Sequence, residues 1–128
     1  MSRRSHLLRL VFALSLGSCS KEPSAPTAAA LDLQLTTPAG DDGAVLLTIS
    51  GGPVDSVEAP GLVLHVNRRA LNATRVIVLG DIGPGRLARI HIPDGRQSSR
   101  YSVLINQVAA RHSYAQRDPA AYTLNLTP

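Results

Sequence analysis

The residues of this 128-residue chain with the chemistry to build a site are few: one thiol, Cys19, four histidines, and an adjacent carboxylate pair, Asp41-Asp42. His65, His91 and His112 lie far apart in sequence, whereas metal centres take ligands at short shared spacing or from adjacent strands. Their reading is that of solvated surface histidines, with a strand-to-strand site left open. Asp41-Asp42 sits in "PAGDDG", and adjacent carboxylates on a turn rarely face one substrate bond; they read as turn-forming and solubilising. Serines, His91, Asp81 and Asp94 are present, but no Gly-x-Ser-x-Gly elbow holds a nucleophile. "GDIGPG", residues 80–85, has the glycines of a phosphate cradle, yet the strand-like "RLARIHI" follows where a helix N-terminus is needed. The expectation is a protein that is not an enzyme and takes no metal or cofactor. For binding, the candidates are Tyr114, Arg89 and His91. The chain has no Trp, and its one Phe is at position 12. Tyr101 and Tyr122 stand among apolar partners and read as core, leaving Tyr114 as the exposed ring for a sugar. Arg86, Arg89, Arg96, Arg100 and Arg111 suggest a patch for an acidic partner or lipid phosphates; the preferred reading is charge that keeps strand edges from aggregating.

The thiol follows a patterned leader. "MSRRSHLLR" carries Arg3, Arg4 and Arg9 and no acid, and "LVFALSL", residues 10–16, is a short apolar run. That run has the length of a secretory h-region and is far short of the roughly 20 residues that span a bilayer. Leu16-Gly17-Ser18-Cys19 resembles the lipobox of bacterial lipoproteins. The resemblance implies cleavage before Cys19, acylation there (palmitate among the chains), and export to a cell envelope. Ser20 stands where many retained inner-membrane lipoproteins have Asp, which favours the outer membrane in an organism with two. More than one acyl chain gives stable attachment without spanning.

Without residues 1–18, ten basic residues face nine acidic ones. The high isoelectric point is therefore largely a property of the leader, and the mature chain lacks the basic footprint of a nucleic-acid binder. No second cysteine exists to form an intramolecular disulfide, so the core must hold the fold. "SKEPSAPTAAA", residues 20–30, reads as a flexible tether. The division is a signal peptide over 1–18, the lipidated cysteine and tether over 19–30, and one domain over 31–127.

Period-two alternation marks the domain. Strands are read at 31–37, 44–50, 54–59, 62–67, 74–79, 86–92, 100–110 (bent or bulged) and 122–126, with Gly, Pro and Asp between them. In "LVLHVN" Leu62, Leu64 and Val66 take one face. In "RLARIHI" Ala88, Ile90 and Ile92 point one way, and Leu87, Arg89 and His91 the other. "TRVIVL" is apolar on both faces, like a central strand. "NRRALNAT", residues 67–74, has room for one helical turn, and "PDGRQSS" is a loop. The fold class is all-β, a single antiparallel β-sandwich.

Within residues 44–126, "PGLVLHVNRRAL", "GPGRLARIHIPD", "YSVLINQVAA" and "YTLNL" resemble cohesin-like domains. These are Ig-like or jelly-roll sandwiches related to carbohydrate-binding modules. Gly85, Leu87, Ala88, Ile90 and Ile92 match the family's Gly-x-Leu-Ala-x-Ile-x-Phe-x-Val element. Arg68-Arg69 stand where the family has Tyr-Asp, so the resemblance implies the fold and transfers no dockerin-binding residues. The function expected is a membrane-anchored envelope lipoprotein whose non-catalytic sandwich binds another protein or serves assembly. The alternative is a module that binds carbohydrate or cell wall.

Overall fold

Alternating segments such as "LDLQL" and "VIVL" have one stable outcome in water. Each strand buries its apolar row against a second sheet and satisfies its backbone through neighbouring strands. The computed structural model describes residues 25–128; the leader, Cys19 and the start of the tether lie outside the described residues. Nine strands form there: β1 (Ala29–Thr36), β2 (Asp42–Ser50), β3 (Ser56–Glu58), β4 (Val63–Ala70), β5 (Ala73–Ile82), β6 (Gly85–Ile92), β7 (Ser102–Ala110), β8 (Gln116–Arg117) and β9 (Thr123–Thr127). Short 3₁₀ segments cover Gly95–Arg100 and Pro119–Ala121. No helix among the described residues is long and apolar enough to cross a membrane.

The strands make two antiparallel sheets packed face to face, a four-stranded one in the order β3-β6-β1-β9 and a five-stranded one in the order β4-β5-β2-β7-β8. The protein is an all-β sandwich. Leu31, Leu33 and Leu35 of β1 and Ile90 and Ile92 of β6 face Val45, Leu47 and Ile49 of β2 and Val76 and Val78 of β5, all essentially removed from water. Each such side chain contributes about 1.5–3 kcal/mol on burial. Tyr101 and Tyr122 are buried, as their apolar surroundings imply. Tyr101 donates its hydroxyl hydrogen to the Pro53 carbonyl at 2.6 Å.

Several local expectations are corrected. Residues 67–74 form no helical turn. β4 runs on to Ala70, pairs it with Ala73 of β5, and leaves Leu71-Asn72 as a two-residue hairpin tip. Pairing with β5 decides this, because it satisfies more backbone groups than an isolated turn. Val66 shares the inward parity of Leu64 but is 42% exposed, because β4 is an edge strand. Leu87 is buried rather than outward: Leu33 pairs with Ala88 and Gln34 with Arg86, so Leu87 is a bulge residue turned into the core with Ala88. "PDGRQSS" winds into the 3₁₀ segment, with the Asp94 side chain accepting from the Arg96 backbone N–H. β1 starts two residues before the alternation becomes visible, since Ala29 and Ala30 pair with Ile92 and His91. The bulge read in 100–110 is present: Leu46 faces Gln107 and Leu47 faces Ile105, leaving Asn106 as the extra residue.

Candidate functional site

Three features carry the chemistry. Two of the sequence candidates, Arg89 and His91, stand on the outer face of the four-stranded sheet. Pairing places Asp32 of β1 opposite Arg89 and puts Glu58 of β3 on its other side. Arg89 donates from Nε to Asp32 Oδ1 at 2.8 Å and from Nη2 to Oδ2 at 3.4 Å, and Arg86 adds a 3.9 Å contact. The Arg89 hydrogen bond holds the Asp32 carboxyl below the usual carboxylate range, and the same bond raises the guanidinium. His91 Nε2 lies 3.4 Å from Glu58 Oε2. Gln34, Asn125 and the β9 threonines complete a polar surface whose charges already answer one another.

The arginine patch of the sequence analysis does not assemble. Arg86 and Arg89 share Asp32, Arg96 pairs with Asp94 at 3.0 Å, and Arg111 pairs with Asp81 at 2.9 Å on the other sheet. Edge protection does not describe Arg89 either, since β6 lies between β3 and β1.

The second feature was missed in the sequence. Asp42 is fully buried, not a solubilising turn residue. Without interruption, β2 would send its odd-numbered residues inward and Asp42 outward. A bulge at Gly43 reverses that parity. Gly43 suits the position because a Cβ there would come within 2.5 Å of the Arg111 Cα. The carboxylate is satisfied on both oxygens. Oδ1 accepts from Arg117 Nη1 and from the Tyr122 hydroxyl, each at 2.6 Å, and Oδ2 accepts from Thr37 at 2.7 Å. Arg117 also reaches Asp41 at 2.8 Å and lowers that carboxyl's pKa. Burial, with the bond to Asp42, raises the Tyr122 phenol. Closed in this way, the cluster ties the end of β1, β2, β8 and the approach to β9. The signal available in the sequence was Gly43 after two aspartates, with a lone Arg117 and Tyr122 on the far side of the chain.

Tyr114 stands apart from Arg89 and His91. It occupies the turn between β7 and β8 with φ 57° and is 76% exposed. His65 lies on β4, His112 in the β7–β8 turn, and no three His, Cys, Asp or Glu side chains group together among the described residues.

The third feature is the outer face of the five-stranded sheet. Register places Val63, Leu79, Ala44 and Ala109 in one row across β4, β5, β2 and β7. His65, Ile77, Leu46 and Gln107 form the next row, and Asn67, Arg75, Thr48 and Leu104 the third. Val63 is 57% and Leu104 63% exposed, with Ile77 also open to water. These rows hold no carboxylate; their only fixed charge is Arg75, whose Nε is buried without a hydrogen-bond partner. Of the two outer faces this is the less charged, with Val63, Ile77 and Leu104 exposed among Ala44, Ala109, His65, Gln107, Asn67 and Thr48.

No family model matches the chain, and no curated protein or solved structure matches it either.

Proposed function

We propose that this chain is a membrane-anchored cell-envelope lipoprotein. In this reading it is cleaved before Cys19 and held by acyl chains there, and its non-catalytic sandwich binds another protein. The observation that carries the binding half is the less charged outer face of the five-stranded sheet. Its partner has an apolar centre and carboxylates at the rim. Arg75 calls for an opposite charge, and a second copy of the same face would set arginine against arginine. The lipobox resemblance and the order of charge, apolar run and small residues support the anchor.

The test places a photo-crosslinking residue at Ile77, and in a second protein at Gln34 on the opposite face, in cells that make the chain. Mass spectrometry then reads both the adducts and the mass at Cys19. One protein captured from position 77 and not from 34, with acyl mass lost in Cys19→Ala, is the expected result. Equal capture from both faces would sink the docking assignment, and an unacylated Cys19 would sink the anchor. The exposed ring of Tyr114 supports carbohydrate binding as the second reading. Retained glycan that disappears in Tyr114→Ala, with no protein adduct, would establish that reading instead.

A further inference from the structure

From Val63 to Gly80 the chain contains no acidic residue but carries Arg68, Arg69 and Arg75. This stretch is the β4–β5 hairpin, and its tip residue Leu71 is 85% exposed, the most exposed large apolar side chain among the described residues. An isolated apolar tip in water gains nothing, and a flexible one would fold back. This one is braced. The Gly51 N–H donates to the Asn72 carbonyl at 3.3 Å, and Arg68 donates to the carbonyls of Val54 and Asp55 at 3.2 and 2.6 Å. With Arg68 so engaged, Arg69 and Arg75 are left without an ion-pair partner among the described residues. The order along the hairpin is an apolar side chain outermost and cations behind it, which is the order of a group seated at the boundary of acyl chains and headgroups.

The chain direction agrees. β1 begins at Ala29 opposite Ile92, and the Thr27 carbonyl accepts from the Gly95 N–H at 2.8 Å. Asn72, Gly51, Asp94 and Arg100 line one shallow cavity, so the hairpin tip and the first described residues share one end of the sandwich. A tether from Cys19 to Pro26 reaches at most about 25 Å when extended. An anchor at Cys19 would therefore hold this end, and not the Gly83-Pro84 end, close to the bilayer.

We infer that the Leu71 tip, with Arg69 behind it, docks on the anionic headgroups of a phospholipid bilayer and orients the domain on its membrane. The approach geometry rests on the lipid-anchor reading. The contact itself is testable without the acyl chains.

The probe is the mature chain from residue 19 on, carrying Cys19→Ala, which retains every strand of the sandwich. It is sedimented with vesicles of phosphatidylglycerol and phosphatidylethanolamine, or of phosphatidylcholine alone. Binding to the anionic vesicles that weakens in high salt is expected. Arg69→Glu should lower the partition at least about fivefold, the worth of one basic residue near an anionic surface, and Leu71→Ser should lower it as well. Arg86→Glu makes the same charge change at the far end and should leave it unaltered. No binding, equal binding to phosphatidylcholine, or an equal loss from Arg86→Glu would overturn the inference. An unacylated Cys19 in cells would remove the anchor while leaving this result standing.

Discussion

At the scale of single residues, Asp42 decides most. Its buried carboxylate takes three hydrogen bonds, so removing it leaves the Thr37 and Tyr122 hydroxyls without their acceptor and Arg117 with Asp41 alone. Asp42→Ala should cost about 2–4 kcal/mol, because two hydroxyls lose their charged acceptor while Arg117 keeps Asp41. Tyr122→Phe, which deletes one donor, should cost about 1–1.5 kcal/mol. Urea midpoints of the two variants check both figures. Titration supplies a second prediction. Hydrogen bonds from arginines lower Asp32, Asp41 and Asp94 in the folded chain. The stability they add is present above the ordinary carboxylate range and is lost as pH falls through the lowered folded values, below about pH 4. Tyr101 and Tyr122 are raised, chiefly by burial. Folding holds their phenols neutral, so that stability is present below about pH 10 and falls as pH rises beyond it. A urea midpoint flat between these limits and falling on both sides is expected; an acid limb starting near neutrality would contradict it. Little of the Asp42 site was legible in the sequence. Its partners lie five, 75 and 80 residues away, and the bulge that turns it inward leaves no periodic trace.

At the scale of elements, alternation carried most of the information. β1, β2 and β5 were legible because each sets a row of Leu, Val or Ile at every second position. The same strands carry one row that stabilises and one that, in the docking reading proposed above, meets a partner. Val78 of β5 is fully buried, and Val78→Ala should cost about 2–3 kcal/mol through lost transfer and a cavity. Its neighbour Ile77 faces outward, and Ile77→Thr should change stability by less than about 0.5 kcal/mol while abolishing capture of a partner from a crosslinking residue at Val63 on the same face. If Ile77→Thr unfolds the chain, the outer face is core and not a docking surface. Turns carry another kind of constraint. Gly51 has φ 107°, and a Cβ there would lie 1.9 Å from the Arg100 carbonyl oxygen. Gly51→Ala should therefore cost more than about 2 kcal/mol in thermal unfolding, because backbone must move. The misread elements failed for one reason. Bulges at Leu87 and Gly43 and the hairpin at Leu71-Asn72 depend on what the neighbouring strand offers, and the local pattern does not contain the neighbour.

At the scale of the molecule, strand order makes the N-terminal strand indispensable. β1 pairs with β6 on one side and β9 on the other, at the centre of its sheet. A chain beginning at residue 38 should not fold, because the four-stranded sheet would lose its middle and β9 the one strand it hydrogen-bonds to among the described residues. A chain beginning at residue 25 should keep its unfolding midpoint. Circular dichroism and amide dispersion separate the two outcomes. The architecture also divides the surface by chemistry. The four-stranded sheet turns outward a set of charges already paired with one another. The five-stranded sheet turns outward the less charged face, and one end of the sandwich gathers the hairpin tip and the incoming chain.

Alternation along the chain sets the class of fold, because a two-residue period in a chain with no disulfide can bury its apolar rows only between sheets. Local sequence also sets the positions of most strands, the burial of Tyr101 and Tyr122, and the exposure of Tyr114. Strand pairing settles which sheet face carries fewer charges, which arginines are paired, and where Asp42 goes. Each of these depends on pairing between residues far apart in the chain. Alternation states that a side chain has two faces to choose from; the neighbouring strand and its bulges choose the face.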